Sequence, residues 1–185
     1  AHALAVQGTL MDDSYTVSGS GQVQGAKATI LVSPTANGFF QFDLSTLPSG
    51  TTSADITKAT LTLFASKVTT PGTFDVKLVT GAWDEKTITG SSSAGIIGAP
   101  LITGVTIDAA DAGQYVTIDL TDVVKFWVDG GANHGIALVA NGPLSVLFDA
   151  KESKTTAHSA QLEIVGPGAT GGLGIEGPTG PTGPT

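Results

Sequence analysis

Glycine stands at every third position from Gly168 to Gly183. The triplets read Gly-Ala-Thr, Gly-Gly-Leu and Gly-Ile-Glu, then Gly-Pro-Thr three times. A collagen strand has this period because only glycine fits at the axis of three wound chains. A flexible linker is also rich in Gly and Pro, but nothing in its physics requires a period of three. The tail therefore predicts a homotrimer, with Gly168, Gly171, Gly174, Gly177, Gly180 and Gly183 on the shared axis. At about 3 Å per residue it would extend on the order of 55 Å. So short a stalk needs help to assemble, and the folded region before it is the natural nucleus.

That region is long enough for one domain with a substantial core. Apolar residues make up 41% of the chain and charged residues only 13%. This composition fits an all-β extracellular domain better than a disordered one. No apolar run approaches the roughly 20 residues of a membrane span. The net charge is −8, with lysine but no arginine. Nucleic acid and anionic membrane surfaces are disfavoured, because both are held through Lys and Arg contacts. Cysteine is absent, which removes disulfides, thiol nucleophiles and thiolate zinc sites. The Ala-His-Ala start fits a secreted or cell-surface protein trimmed of its signal peptide.

Ten short β-rich runs are separated by turn residues: Ser14–Val17, Ala28–Ser33, Gly38–Asp43, Ala59–Ala65, Phe74–Val79, Val105–Asp108, Tyr115–Leu120, Gly135–Ala140, Ser145–Asp149 and Gln161–Val165. In Thr60-Leu61-Thr62-Leu63-Phe64 the leucines share one face and the threonines the other. Period two with one wet face predicts antiparallel sheet, and many short strands predict a β-sandwich of jelly-roll type. Thr121–Asp129 reads instead as a short helix, capped by Thr121 and stopped by Gly130-Gly131. Its apolar face carries Val123, Val124, Trp127 and Val128, with Trp127 as a core plug. Gly90–Gly95 reads as a flexible loop. The expected organisation is an N-terminal arm over 1–11, a head over 12–165 and a stalk from 166 to 185. Leu4, Val6 and Leu10 alternate in the arm, as a strand donated to a neighbour would.

An ordered set of motifs then narrows the family. It begins with Asp13 and Tyr15, then Phe42-Asp43-Leu44 through Pro48 and Ile56 to Leu63. Trp83-Asp84-Glu85, Ala99-Pro100 and Ile118 to Val124 with Trp127 follow. Gly135 to Leu138, Phe148 to Ser153 and His158 complete it. In this order they resemble the DNRLRE domain, also called disaggregatase-related, which overlaps a carbohydrate-binding-module family. The resemblance covers roughly Asp12 to Val165. It implies a jelly-roll sandwich of secreted and surface-attached microbial proteins, often a non-catalytic accessory to polysaccharide-active enzymes. Three departures stand out. Phe39-Phe40-Gln41 occupies a stretch where the family often carries arginine. Lys151-Glu152 replaces an Arg-Glu pair, and the second tryptophan that often follows the first is missing.

Candidate chemistry is sparse. Gly166 to Gly171 matches GxGxxG, but no helix pattern follows to hold a pyrophosphate. Glycoside hydrolysis needs two carboxylates flanking a cleft. Asp84-Glu85 and Glu152 are the candidates, with a solvated turn or salt bridge as the simpler reading. His2, His134 and His158 lack the close spacing of a zinc motif. A structural calcium suits the acidic residues near strand ends: Asp12, Asp13, Asp43, Asp108, Asp111 and Asp149. For sugar binding, an exposed aromatic platform is wanted, and Trp83, Tyr15 and Tyr115 are the candidates. Core packing is the competing reading of Trp83. The sequence thus reads first as a non-enzymatic extracellular structural protein. A trimeric head would nucleate a collagen-like stalk, with further association into surface fibres. The alternative is a carbohydrate-binding adhesin presented on that stalk.

Overall fold

The computed structural model describes residues 4–167. The glycine triplets from Gly168 onward, including all six axial glycines, lie outside the described residues.

Ten antiparallel strands and two short helices build the domain. In chain order the strands are β1 (Ala5–Val17), β2 (Thr29–Val32), β3 (Ala36–Asp43), β4 (Lys58–Thr70) and β5 (Gly72–Val79). They continue with β6 (Ile97–Ile107), β7 (Gln114–Asp119), β8 (Ile136–Asn141), β9 (Ser145–Asp149) and β10 (Gln161–Val165). The helices are α1 (Gly90–Ser93) and α2 (Thr121–Val128). Hydrogen-bonded neighbours run β2-β9-β4-β10-β1-β3-β8-β5-β6, with β7 added to β4. β1 is the hinge of this path. Its first residues pair with β10 (Ala5↔Val165 to Gly8↔Leu162), and the rest pair with β3 up to Val17↔Ala36. The register slips at Met11, between Leu10 and Asp12.

The two groups of strands face each other across one core. Phe74 of β5 meets Phe148 of β9 edge to face, with ring centroids 6.2 Å apart. Leu61, Leu63, Ile118, Leu162 and Ile164 enter this core from one group. Phe40, Phe42, Val76, Ile136 and Leu138 enter from the other. The alternation read in Thr60 to Phe64 is reproduced, since Leu61 and Leu63 are buried and Thr60, Thr62 and Phe64 look outward. α2 closes one end with Val123, Val124 and Trp127.

Each of the ten strand expectations coincides with an observed strand, but several details differ. Residues 5–11, expected to form an arm reaching another molecule, belong to β1 and pair within their own chain. Gly8 lies beside β10, where the Leu162 side chain would crowd a larger residue. Thr121 does not cap α2 through its side chain. Its hydroxyl accepts from the Ala59 N–H (3.0 Å), while Asp119 Oδ1 accepts from the Thr121 N–H (2.9 Å). Gly90–Gly95 is not a loose loop. It forms α1 and a following 3-10 turn, because Thr89 caps Ser92 and buried Ser93 donates to Thr16 Oγ1 at 3.0 Å. Gly90 lies so close to the Val17 carbonyl that a Cβ there would overlap it.

Candidate functional site

The outer face of β4, β7 and β10 is a nearly flat grid. Phe64 pairs with Tyr115, Thr62 with Thr117 and Gln161, and Thr60 with Asp119 and Glu163. Directly opposed side chains share a face, so these residues form three rows. One row is aromatic. Tyr115 is 57% exposed and meets Phe64 edge to face at 5.1 Å. His158, just before β10, lies over Phe64 with centroids 4.0 Å apart and planes tilted by 33°. Its ring also meets Tyr115 at 5.6 Å. Buried Asp149 positions the histidine, with Oδ2 at 3.3 Å from Nδ1 and 2.7 Å from the Thr156 hydroxyl. The face thus joins exposed ring surface to hydroxyl, amide and carboxylate groups. A sugar ring offers the complement, an apolar C–H face and a rim of hydroxyls.

Of the three aromatic candidates, only Tyr115 stands in such an exposed patch. Tyr15 packs against the core. Trp83 lies on the outer side of β3 and β8, half-buried against Phe39 (5.6 Å). Its indole N–H donates to the His134 carbonyl at 2.8 Å. Phe64 and His158 escaped attention as platform residues. The outward position of Phe64 in an alternating strand was the available signal.

A second constellation is buried at the β1 slip. Asp13, fully buried, accepts the Lys151 N–H at Oδ2 (2.9 Å). Its own N–H donates to Glu85 Oε2 (3.3 Å), and the Glu85 N–H donates to Asp12 Oδ1 (3.4 Å). Lys151 Nζ donates to the Met11 carbonyl and lies 2.5 Å from Glu85 Oε2 and 3.8 Å from Glu152 Oε1. Asp13 Oδ1 and Glu152 Oε2 are buried without a hydrogen-bond partner. Carboxylate oxygens of Asp13, Glu85 and Glu152 all come within 4.8 Å of one another. Burial pushes the Asp13 carboxyl up to about 7, and the Glu152 carboxyl adds to this against the pull of the Lys151 N–H. Burial works against the Lys151 ammonium, but the Glu85 carboxylate and its neighbours outweigh it and hold its pKa above the ordinary value.

Of the six acidic residues that suit calcium by sequence, only Asp13 enters this cluster, and Asp111 instead accepts from the Asp108 N–H. Asp12 reaches the Glu85 backbone, Asp43 accepts from Ser45 N–H at 2.7 Å, and Asp149 serves Thr156 and His158. Of the hydrolytic candidates Asp84, Glu85 and Glu152, the last two join Asp13, whereas Asp84 accepts from the Lys86 N–H. The signal was present in the motif order, which placed Asp13, Trp83-Asp84-Glu85 and Lys151-Glu152 in one set without showing that they meet.

The domain is an antiparallel β fold with an aromatic and hydroxyl-rich outer face. The model of carbohydrate-binding module family 96 matches residues 5–166, and the chain belongs to that family. A search of curated proteins finds no match to it. Among the described residues no helix is long and apolar enough to cross a membrane.

Proposed function

We propose that this chain binds polysaccharide through the outer face of β4, β7 and β10. Tyr115 and His158, backed by Phe64, would stack against a sugar ring, while Thr62, Thr117 and Gln161 bond its hydroxyls. The carrying observation is the Phe64–Tyr115–His158 cluster, with Tyr115 exposed and the other two half-buried, on a domain of a carbohydrate-binding family. No acid–base role is needed. Glu85, the best-placed of the hydrolytic candidates, is held by Lys151 as an ion-pair partner. The full-length chain is expected to be retained by at least one glycan on an array. Tyr115→Ala and Phe64→Ala should each weaken that retention about tenfold or more, the equivalent of about 1.4 kcal/mol. Retention untouched by both substitutions would place the ligand elsewhere.

A second reading concerns presentation. The Gly-x-y triplets follow β10 almost directly in the sequence. We read the head as a jelly-roll sandwich that trimerises, sets the register of a collagen-like stalk outside the cell and displays its binding face from it. Tethering would give the three tails a high effective concentration. Solution mass decides this: a monomer at micromolar concentration contradicts it. Association into fibres would appear as elongated particles in electron micrographs.

A further inference from the structure

The carboxylate cluster at the β1 slip has a feature that a simple salt bridge does not explain. Three segments far apart in sequence deliver Asp13, Glu85 and Glu152 to one point. The Lys151 ammonium answers only one side of it, reaching Glu85 Oε2 and, more distantly, Glu152 Oε1. The oxygens on the other side, Asp13 Oδ1 and Glu152 Oε2, are both buried with no donor among the described residues, and the two carboxyls lie against each other. Asp13 is fully buried, and an unpartnered carboxylate oxygen at such a place is expensive. With all groups ionised, three carboxylates and one ammonium leave two uncompensated negative charges, the charge that one divalent cation would cancel.

We propose that Asp13, Glu85 and Glu152 form a divalent-cation site of calcium type. Every donor in the cluster is a carboxylate oxygen, which selects a hard cation over zinc or copper. Calcium accepts irregular sets of six to eight oxygens, whereas magnesium demands a small octahedron. Three residues from three separate segments suit the former. Access is also built in. A cleft of about 420 Å³ is lined by Glu85, Glu152, Lys86, Val23, Gly25 and Ala26, with room for water to complete the shell. Gly25 is drawn so tightly onto the Glu85 carbonyl that a Cβ could not fit, so the 18–28 segment is held against the site. The cation would tie two otherwise separate connections, those carrying Glu85 and Glu152, to β1. This assignment is independent of the polysaccharide reading and stands or falls on metal alone.

The test uses the full-length chain stripped with EDTA and then titrated with calcium chloride. Calcium at about a hundredfold over its dissociation constant should raise the melting temperature by about 5–10 °C. Calorimetry should show one site per chain. Terbium should bind there too, with luminescence sensitised by Trp83 and quenched by added calcium. Asp13→Asn and Glu152→Gln should abolish both responses, and Asp43→Asn should leave them intact. If Asp13→Asn fails to fold, the half-buried Glu152→Gln carries the test. A wild-type chain whose melting is indifferent to calcium up to about 10 mM would overturn the assignment. So would a calcium response that survives in Glu152→Gln. Either result would mean that Asp13 and Glu152 are reconciled by a shared proton instead.

Discussion

The molecule carries an aromatic cluster on each of its two outer faces, and the two have opposite fates. On the β3–β8 side, Phe39 and Trp83 meet edge to face beneath the 80–97 segment, with Ile88, Ile96 and Ile97 completing a second small core. On the β4–β7 side, Phe64, Tyr115 and His158 make a similar set of ring contacts with only a histidine from the β9–β10 connection above them. An outward-facing phenylalanine on a strand, Phe39 or Phe64, is therefore architecture in one place and part of the surface in the other. A long covering segment makes the difference. Where it exists, the indole N–H is spent on a backbone carbonyl; where it does not, the Tyr115 ring stays open to solvent.

Substitution can break this contrast. Phe39→Ala should be the most damaging change, costing about 3–5 kcal/mol of folding free energy, because a fully buried ring leaves a cavity under the covering segment. Chemical denaturation measures it; a loss below 1 kcal/mol would mean that the segment packs loosely. Gly90→Ala should cost roughly 1–3 kcal/mol by forcing α1 off the Val17 carbonyl. Trp83→Phe keeps a ring against Phe39 but removes the bond to His134, a loss of about 1 kcal/mol. Glycan retention should not change in that variant. Tyr115→Ala should alter stability by no more than about 0.5 kcal/mol while reducing retention, the reverse of the Trp83 result. Asp119, on the bare face, gives the smallest effect. The Thr121 hydroxyl and N–H hold its carboxyl below the ordinary value. Its contribution is therefore present at neutral pH and fades as the pH falls below about 4. Wild type and Asp119→Asn should differ slightly in melting temperature at pH 7 and converge in acid.

Strand periodicity was the most legible part of the sequence, since the Thr-Leu alternation of β4 and the Val-Ile alternation of β7 mark one wet and one buried face. Length was not. The first half of β1 shows its alternation in Val6 and Leu10, but its partner β10 lies at the far end of the chain, so the pattern alone suggests a strand given to a neighbour. β6 begins at Ile97, but Gly98, Pro100 and Gly104 mask it, and its pairing with β5 slips three times. Nor could local pattern show that Asp13 would meet Lys151, 138 positions away. Charge pairs of that kind are made by topology, and a one-dimensional reading sees only their halves. The bare platform was half legible: Tyr115 stood out as an aromatic in a strand, but His158 acquires its place through Asp149 and a turn.

The pairing of β10 has a mechanical consequence. The strand is flanked along its length by β4 and, toward its end, by β1, and the chain beyond Gly166 leaves from the row where Val165 faces Lys58. Phe64 and Tyr115 lie on the order of 20 Å farther along the same sheet. Tension between a surface gripped at Tyr115 and the departing chain would run nearly parallel to the strands. The rungs on both sides of β10 would then share the load and have to fail together, whereas a strand pulled sideways would lose them one at a time. On the proposed binding and stalk readings, β10 would be the strand that carries the load in shear.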